Sequence, residues 1–307
     1  MNDLTQALHL NISAVEREIG ISKDALRVWE RRYGFPNPER DTFGERSYGP
    51  DQIEKLRLIR RLMDLGHRPG KIVAQPTQSL RDLAEQSTVI AAATAKPHQN
   101  QLVLSLLEIV KRHHAEELRA LLAQMLLRMS LVDFITDVIA PLTTAVGEAW
   151  ARGDLALHEE HMYTEAAQRV LRNAIGKIPS VVCAPRILLT TVPQEPHGLG
   201  LLMAEVMFAI DGCSCVSLGV QTPVQEIALA AQTQHADVVA LSFSTMMNPN
   251  LALESLRDLR SKLPADIEIW AGGACTVLHG RRAPQGVMVL SGLHEIHGAV
   301  THWRLQH

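Results

Sequence analysis

Aromatic residues are scarce in this sequence. Phe, Trp and Tyr together make up 4% of 307 residues, so each of the four tryptophans merits individual inspection. Cysteine is scarce too: Cys183, Cys213, Cys215 and Cys275 are the four, and none precedes position 183. So scattered, they give no disulfide framework, and free thiols in a reducing cytoplasm are the plain expectation. Cys213-x-Cys215 falls in a strand-like segment, where two buried strand cysteines are the simpler reading and metal binding stays open. No run of about 18 apolar residues occurs that could span a bilayer as a helix, so no membrane partner is expected. The start of the chain holds Asp3 and lacks an apolar core with a cleavage site, so no signal peptide is expected either. A strong charge of one sign is also missing, the net charge being -3. Residues 1–75 nevertheless hold 13 Lys and Arg against 11 Asp and Glu, which leaves a slightly basic head and an acidic remainder. That modest contrast fits a nucleic-acid-binding module at the front.

What is present is enough apolar residue, 46%, for real cores, and a length that suggests two or three domains. Ile12–Ile19 reads as a short helix with Ser13 as N-cap and Gly20 as stop. Ser22 caps a second, Lys23–Tyr33, which Gly34 ends. Two short helices with a Gly-containing turn make a helix-turn-helix. The second helix carries Arg27, Arg31 and Arg32, suited to phosphate or guanine contacts, while Trp29 reads as core. A polar excursion with Arg40, Gly44, Arg46 and Tyr48 suits a β-hairpin wing, and a long helix follows over Gln52–Leu65, halted at Gly66. The run Ala25-Leu26-Arg27-Val28-Trp29-Glu30-Arg31-Arg32-Tyr33-Gly34, with Arg40, Arg46 and Tyr48 in the wing, resembles the MerR family of transcriptional regulators. The resemblance covers about residues 11–75 and implies DNA binding through Arg27, Arg31, Arg32, Tyr33, Arg40, Arg46 and Tyr48. Metal-sensing members carry effector cysteines after a long dimerisation helix. With no cysteine before Cys183, that mode of sensing is not supported here.

Residues 76–100 are rich in Gln, Thr, Ser and Ala and read as a linker with a short helix near Leu80–Ala93. From Gln101 to Lys177 apolar residues recur at three and four, as in Leu118-Leu121-Leu122-Met125 and Val132-Ile135-Val138-Ile139. Punctuated by Pro141, Gly147 and Gly153, this pattern predicts a four-helix bundle. Trp150 ends one helix, and Glu160-His161 follow the next turn. A flat aromatic beside a carboxylate and an imidazole could cover a planar cofactor. On pattern alone, a core Trp beside an ordinary polar helix start, His158-Glu159-Glu160-His161, is the simpler account.

From Pro185 strand-like runs alternate with helical ones. Strands are expected at Arg186–Thr191, Ser214–Leu218, Val238–Ser244, Ile267–Ala271 and Val287–Leu290. Helices are expected at Leu201–Ile210, Val224–Gln232, Leu251–Leu263 and, briefly, near Thr276–Gly280. This predicts a parallel, doubly wound sheet of flavodoxin type in strand order 2-1-3-4-5, with ligands at the carboxyl ends of its strands. The loop after the first strand holds Glu195-x-His197-x-x-Gly200. The third strand ends at Ser242-Phe243-Ser244 and the fourth at Gly272-Gly273. An imidazole nitrogen is a suitable ligand for cobalt and other borderline metals, and a carboxylate two residues earlier can orient its ring.

Those three loops resemble the cobalamin-binding domain pattern, Asp-x-His-x-x-Gly, then Ser-x-Leu, then Gly-Gly. The resemblance implies that His197 is the lower cobalt ligand and that Glu195, standing where Asp is usual, orients it. It also implies that Ser242 or Ser244 lines a slot for the cofactor's nucleotide tail, and that Gly200, Gly272 and Gly273 let the tail lie close to backbone. Trp150, nine residues, then Glu160-His161 is similar to the signature of the CarH/LitR photoreceptors, MerR-type repressors that sense light through adenosylcobalamin. That likeness implies that Trp150 and Glu160 enclose the adenosyl group and that His161 takes the upper cobalt position after photolysis. Leu157 falls in the same segment and has no role to give.

The expected organisation is a winged helix-turn-helix over 1–75, a linker over 76–100, a helical-bundle cobalamin cap over 101–182 and a Rossmann-like cobalamin domain over 183–307. The expected function is that of a cytoplasmic, light-responsive, adenosylcobalamin-dependent repressor. It would hold operator DNA as a dimer or tetramer in the dark and release it in light. A regulator that senses cobalamin or another tetrapyrrole without light is the alternative. A corrinoid methyltransferase component is the enzyme-class reading, and the DNA-binding head argues against it.

Overall fold

Asn11, not Ser13, opens the first helix: its side chain accepts the Ala14 N–H at 2.9 Å, because Leu10–Asn11 is held extended as a short strand. The computed structural model describes residues 9–42, 44–64, 67–92, 97–178, 183–278 and 284–307. These divide into two compact units, one of residues 1–97 with 147–156 and one of 98–146 with 157–307.

In the first unit β1 (Leu10–Asn11) leads into α1 (Ile12–Ile19) and α2 (Lys23–Tyr33), then β2 (Glu39–Arg40), β3 (Arg46–Tyr48), α3 (Pro50–Asp64), α4 (Pro69–Ile72) and α5 (Thr77–Ala92). Ser22 caps α2 by accepting the Ala25 N–H, and Gly34 ends it in the left-handed region, where a missing Cβ costs least. The three strands pair antiparallel in the order β1-β3-β2. Val15, Ile19, Leu26, Trp29, Tyr48, Leu56, Ile59 and Leu62 form the core. The expected stop at Gly66 lies outside the described residues. The short helix expected near Leu80–Ala93 is present as α5, and its Leu80 and Ala84 are buried in that same core. Two apolar residues four apart on a helix share a face, and burying a leucine contributes about 1.5–3 kcal/mol, enough to dock a segment of otherwise polar composition.

The second unit begins with α6 (Pro97–Lys111) and α7 (Ala115–Leu126). Next, α8 (Leu131–Asp133) runs through a π-helical turn at Phe134–Ile139 into α9 (Ala140–Arg152), whose residues from Gly147 on belong to the first unit, and α10 (Leu157–Ile175) follows. A π turn frees backbone groups from the regular ladder. The Ile139 carbonyl accepts from the Thr143 hydroxyl at 2.7 Å and the buried Tyr163 hydroxyl at 3.3 Å. Complete burial pushes the Tyr163 phenol far up, so it stays a neutral donor.

The sheet comprises β4 (Cys183–Thr190), β5 (Cys213–Gly219), β6 (Val238–Phe243), β7 (Glu268–Gly273) and β8 (Met288–Leu290). Between them run α11 (Leu199–Ile210), α12 (Val224–Thr233) and α13 (Pro249–Lys262), and α14 (Ile296–Gln306) follows β8. All four pairings are parallel, in the order β5-β4-β6-β7-β8, the expected 2-1-3-4-5. The described part of the expected Thr276–Gly280 helix is a turn, and the remainder lies outside the described residues. Leu188, Val239, Leu241, Ile269 and Ala271 bury one face of the sheet against α12 and α13. With the interior filled, what the strands can offer a ligand is concentrated in the loops at their carboxyl ends.

Candidate functional site

The loop after β4 lies beside that after β6 because β4 and β6 are hydrogen-bonded neighbours. It carries Glu195, whose side chain is wholly buried. A carboxylate taken out of water is tolerable only when fully hydrogen-bonded, and here it is. Oε1 accepts the His197 backbone N–H at 3.1 Å, His197 Nδ1–H at 2.7 Å and the Ser244 hydroxyl at 3.1 Å. Oε2 accepts the Ser244 N–H at 2.7 Å. The Ser244 hydroxyl lies 3.1 Å from His197 Nδ1 and accepts the Met246 N–H at 3.2 Å. With Nδ1 committed as donor to a carboxylate, the imidazole keeps its lone pair on Nε2, and the half-exposed ring can offer that nitrogen to a metal. The Glu195 carbonyl in turn accepts the Thr191 hydroxyl at 2.6 Å, and Thr191 Oγ1 accepts the Gln221 N–H at 2.8 Å. The loops after β4, β5 and β6 are therefore pinned to one another through two buried hydroxyl and carboxylate hubs.

Gly273 sits where a side chain would not fit, and Gly200 where one would crowd a neighbouring hydroxyl. A Cβ on Gly200 would lie 3.0 Å from Ser242 Oγ, and one on Gly273 would lie 2.2 Å from the Phe243 carbonyl oxygen. Gly272 is different: its Cβ would meet the Leu290 carbonyl at 3.5 Å, an ordinary contact. Of the two candidate serines, Ser244 joins the Glu195–His197 cluster, while Ser242 packs its hydroxyl against Gly200. The donor set fits a cobalt corrinoid held through one imidazole, and the close backbone approach leaves a cradle without side chains beside it. A cavity of about 520 Å³ lined by Arg260, Glu268 and Met288 lies at the opposite, amino-terminal ends of β7 and β8, away from this chemistry.

The two thiols of Cys213-x-Cys215 fall in no cluster of metal-ligating side chains among the described residues. Burial pushes the Cys213 thiol up to about 11 and the Cys215 thiol to about 12, so both are protonated near neutrality.

Trp150 falls in the first unit, where the Arg57 guanidinium of α3 lies 5.3 Å from its ring centroid. Glu160 and His161 fall in the second. There Glu160 Oε2 is 2.6 Å from His161 Nδ1, and Glu160 Oε1 accepts the Thr164 hydroxyl at 2.8 Å. The pair repeats, on a helix, the carboxylate–imidazole arrangement of Glu195 and His197. Leu157 is exposed.

On the head, the exposed face of α2 presents Arg27, Arg31 and Arg32, with Leu26 and Trp29 buried on the other side. Arg27 pairs with Asp24 at 3.1 Å, Arg32 lies over the Tyr33 ring, and Arg40 donates to the Gly44 carbonyl at 2.6 Å. Arg46 Nε donates to Glu30 Oε2 at 2.9 Å, a bond that raises its pKa and holds it charged. Tyr48 requires a correction. It is fully buried opposite Leu10 in the β1–β3 pairing and is a core residue of the head, not a DNA contact. Sequence reasoning missed Glu30 as the anchor of Arg46 and Thr191 as the loop hub. Thr190-Thr191, a polar pair closing an apolar strand, was the available signal for the second.

Comparison with known proteins places this geometry. Residues 10–74 match the MerR HTH family regulatory protein domain, and residues 104–174 and 185–293 match two B12 binding domains. The HTH-type transcriptional repressor CarH of Myxococcus xanthus is 27% identical over 263 residues, covering 85% of this chain and 87% of that protein. The repressor CarA of the same organism is 27% identical over 269 residues, covering 86% and 87%. Among solved structures, a Methanosarcina barkeri monomethylamine corrinoid protein superposes with a TM-score of 0.54 at 16% identity. It covers 66% of this chain and 99% of its own, a likeness of fold. Both of these relatives, matched over most of the chain, are named transcriptional repressors. Three matched domains in the same order, and likeness to CarH and CarA from the head through the sheet, make this chain a CarH-type MerR transcriptional regulator with a cobalamin-binding domain.

Proposed function

We propose that this regulator is a light-responsive, adenosylcobalamin-dependent repressor, bound to operator DNA as a dimer or tetramer in the dark and released in light. The observation that carries the reading is the buried Glu195 holding His197 by Nδ1, which leaves Nε2 as the lower cobalt ligand. Ser244 fixes the carboxylate, and Gly200, Gly272 and Gly273 leave room for a nucleotide tail beside Ser242. When bound, adenosylcobalamin supplies a cobalt–carbon bond that light can break. By resemblance, Trp150 and Glu160 would each face the adenosyl group of the bound cofactor, and His161, held at Nδ1 by Glu160, would offer Nε2 to cobalt once that group is lost. The stacking of Arg57 on Trp150 supports a route to the head, because α3 belongs to the DNA-binding core.

The direct test compares dark, adenosylcobalamin-loaded protein before and after green illumination by absorption, size-exclusion chromatography and operator binding. The expected outcome is a changed cobalt spectrum, a smaller species and weakened binding. Unchanged operator affinity and size after illumination would leave a cobalamin regulator that does not use light. His161→Ala should keep the dark state and alter the spectrum reached in light.

The arginine face of α2 makes a separate prediction. Arg31→Ala with Arg32→Ala should weaken operator binding, and the slope of log K against log salt should shrink by about 0.9 for each phosphate no longer neutralised. A slope equal to that of the unaltered protein would remove these two side chains from the interface. Cobalamin retention should be unchanged in the same variant.

A further inference from the structure

The turn between α6 and α7 and the start of α10 bring together His113, His158 and Glu159, whose ligand atoms all lie within 4.8 Å of one another. We propose that these three residues form a site for a borderline divalent cation of the zinc class, separate from the corrinoid. Two imidazoles and one carboxylate are a donor set that suits such ions, with a fourth position left to water. Tetrahedral zinc with bonds of about 2.0–2.1 Å sets its ligand atoms roughly 3.3 Å apart. His113 Nδ1 and Glu159 Oε1 already stand at 3.4 Å, longer than the usual 2.9–3.0 Å of a direct N–H···O bond. The His158 ring stacks on His113 with centroids 5.3 Å apart and planes 21° from parallel, and its ligand nitrogen stands within 4.8 Å of the other two ligand atoms.

The backbone fixes where the His113 imidazole leaves the chain. His113 has φ +60, in the left-handed region. It follows the end of α6, where glycine is the ordinary occupant of that conformation, and non-glycine residues seldom adopt it. The chain therefore holds an imidazole, at a local backbone cost, at the point where it meets Glu159. Glu159 is nearly buried although it lies in the first turn of an otherwise polar helix start, while both imidazoles remain open to solvent for entry of the ion. His114 is already paired with Glu117 at 2.8 Å and stands outside the set. A bound cation would clamp the α6–α7 turn to the first turn of α10, next to Glu160 and His161. It would thereby make the geometry of the cap depend on a metal other than cobalt. The site needs neither corrinoid nor light.

The test uses the full chain without corrinoid, in a Cys183→Ser background that removes the exposed thiol. Chelator-treated protein is titrated with Zn²⁺ against a fluorescent zinc indicator. One equivalent should bind, and His113→Gly, His158→Ala and Glu159→Gln should each weaken binding by at least the roughly tenfold to hundredfold seen when supporting partners of a metal are removed. His113→Gly is the informative variant, because glycine suits the backbone there and removes only the ligand. Its melting temperature without zinc should equal or exceed that of the parent, whereas the rise on adding zinc should vanish. Zinc binding of equal strength in all four proteins, or no stoichiometric binding by the parent, overturns the proposal. Either result leaves the cobalamin reading untouched, since that is read from the cobalt spectrum.

Discussion

His197→Ala is expected to weaken retention of cobalamin by on the order of 100-fold, read by equilibrium dialysis and by loss of the protein-bound cobalt spectrum. Removing even a residue that orients a metal ligand costs about 10–100-fold, and this substitution removes the proposed ligand itself. The fold should survive it. Glu195 would lose one of its donors but keep the His197 backbone N–H and both groups of Ser244. Glu195→Gln tests the orienting role with the shape retained. Its amide nitrogen would have to face a ring of donors, among them the Ser244 N–H at 2.7 Å, and a buried polar clash of that kind costs about 1–3 kcal/mol. Cobalamin affinity should therefore fall roughly tenfold, with a lower melting temperature. Glu195→Asp asks whether the longer acid does what the family's shorter one does. Because Glu195 reaches both His197 Nδ1 and the Ser244 N–H, the aspartate can hold one of them well but not both without a shift of the loop. If His197→Ala retained cobalamin like the unaltered protein, the lower-ligand assignment would fall.

These expectations were legible because a few local signals agree with the global arrangement. Ser22 and Gly34 bracket α2, and the alternation of apolar strands with helices gives the sheet order and the loops at its carboxyl ends. The spacing Glu195-x-His197 lets a carboxylate turn back on a ring two residues on. What stayed hidden depends on partners distant in sequence. Tyr48 reads as a wing residue until β3 pairs with β1 and places it opposite Leu10. Ser244 matters only once β4 and β6 are neighbours, and Trp150 meets Arg57 only in the folded first unit. The 76–100 stretch holds the expected short helix as α5, while its docking on the core stayed hidden for another reason. Its polar composition outweighed the single useful cue, Leu80 and Ala84 one helical turn apart. At Asn11 the local rule was right but the register was not: two cap-forming side chains stand near one helix start, and strand pairing of Asn11 with Ser47 decides between them.

Gly273→Ala is expected to be the most destabilising single methyl in the sheet domain, and Gly272→Ala, one residue earlier, nearly silent. At Gly273 φ is +108, outside the conformations that L residues hold at low cost. Residues held in such regions cost about 1–3 kcal/mol. The added Cβ would also lie 2.2 Å from the Phe243 carbonyl oxygen and 2.9 Å from its nitrogen and carbonyl carbon. These are backbone atoms of a central strand, and that oxygen already accepts the Cys275 N–H at 3.2 Å. Relief would require β6 and β7 to part, and overpacking of this kind adds about 1–3 kcal/mol. The two effects together should lower the melting temperature by roughly 10 °C, at about 2–4 °C per kcal/mol for a domain of this size. A melting temperature within a degree or two of the parent would contradict the geometry. The Gly272 variant carries the functional information, because its Cβ meets only ordinary contacts. If Gly272→Ala melts like the parent yet loses cobalamin, the space above that Cα is space the nucleotide tail occupies. If it keeps both, the slot runs elsewhere, and Gly273 is needed only so that β7 can leave the sheet beside β6.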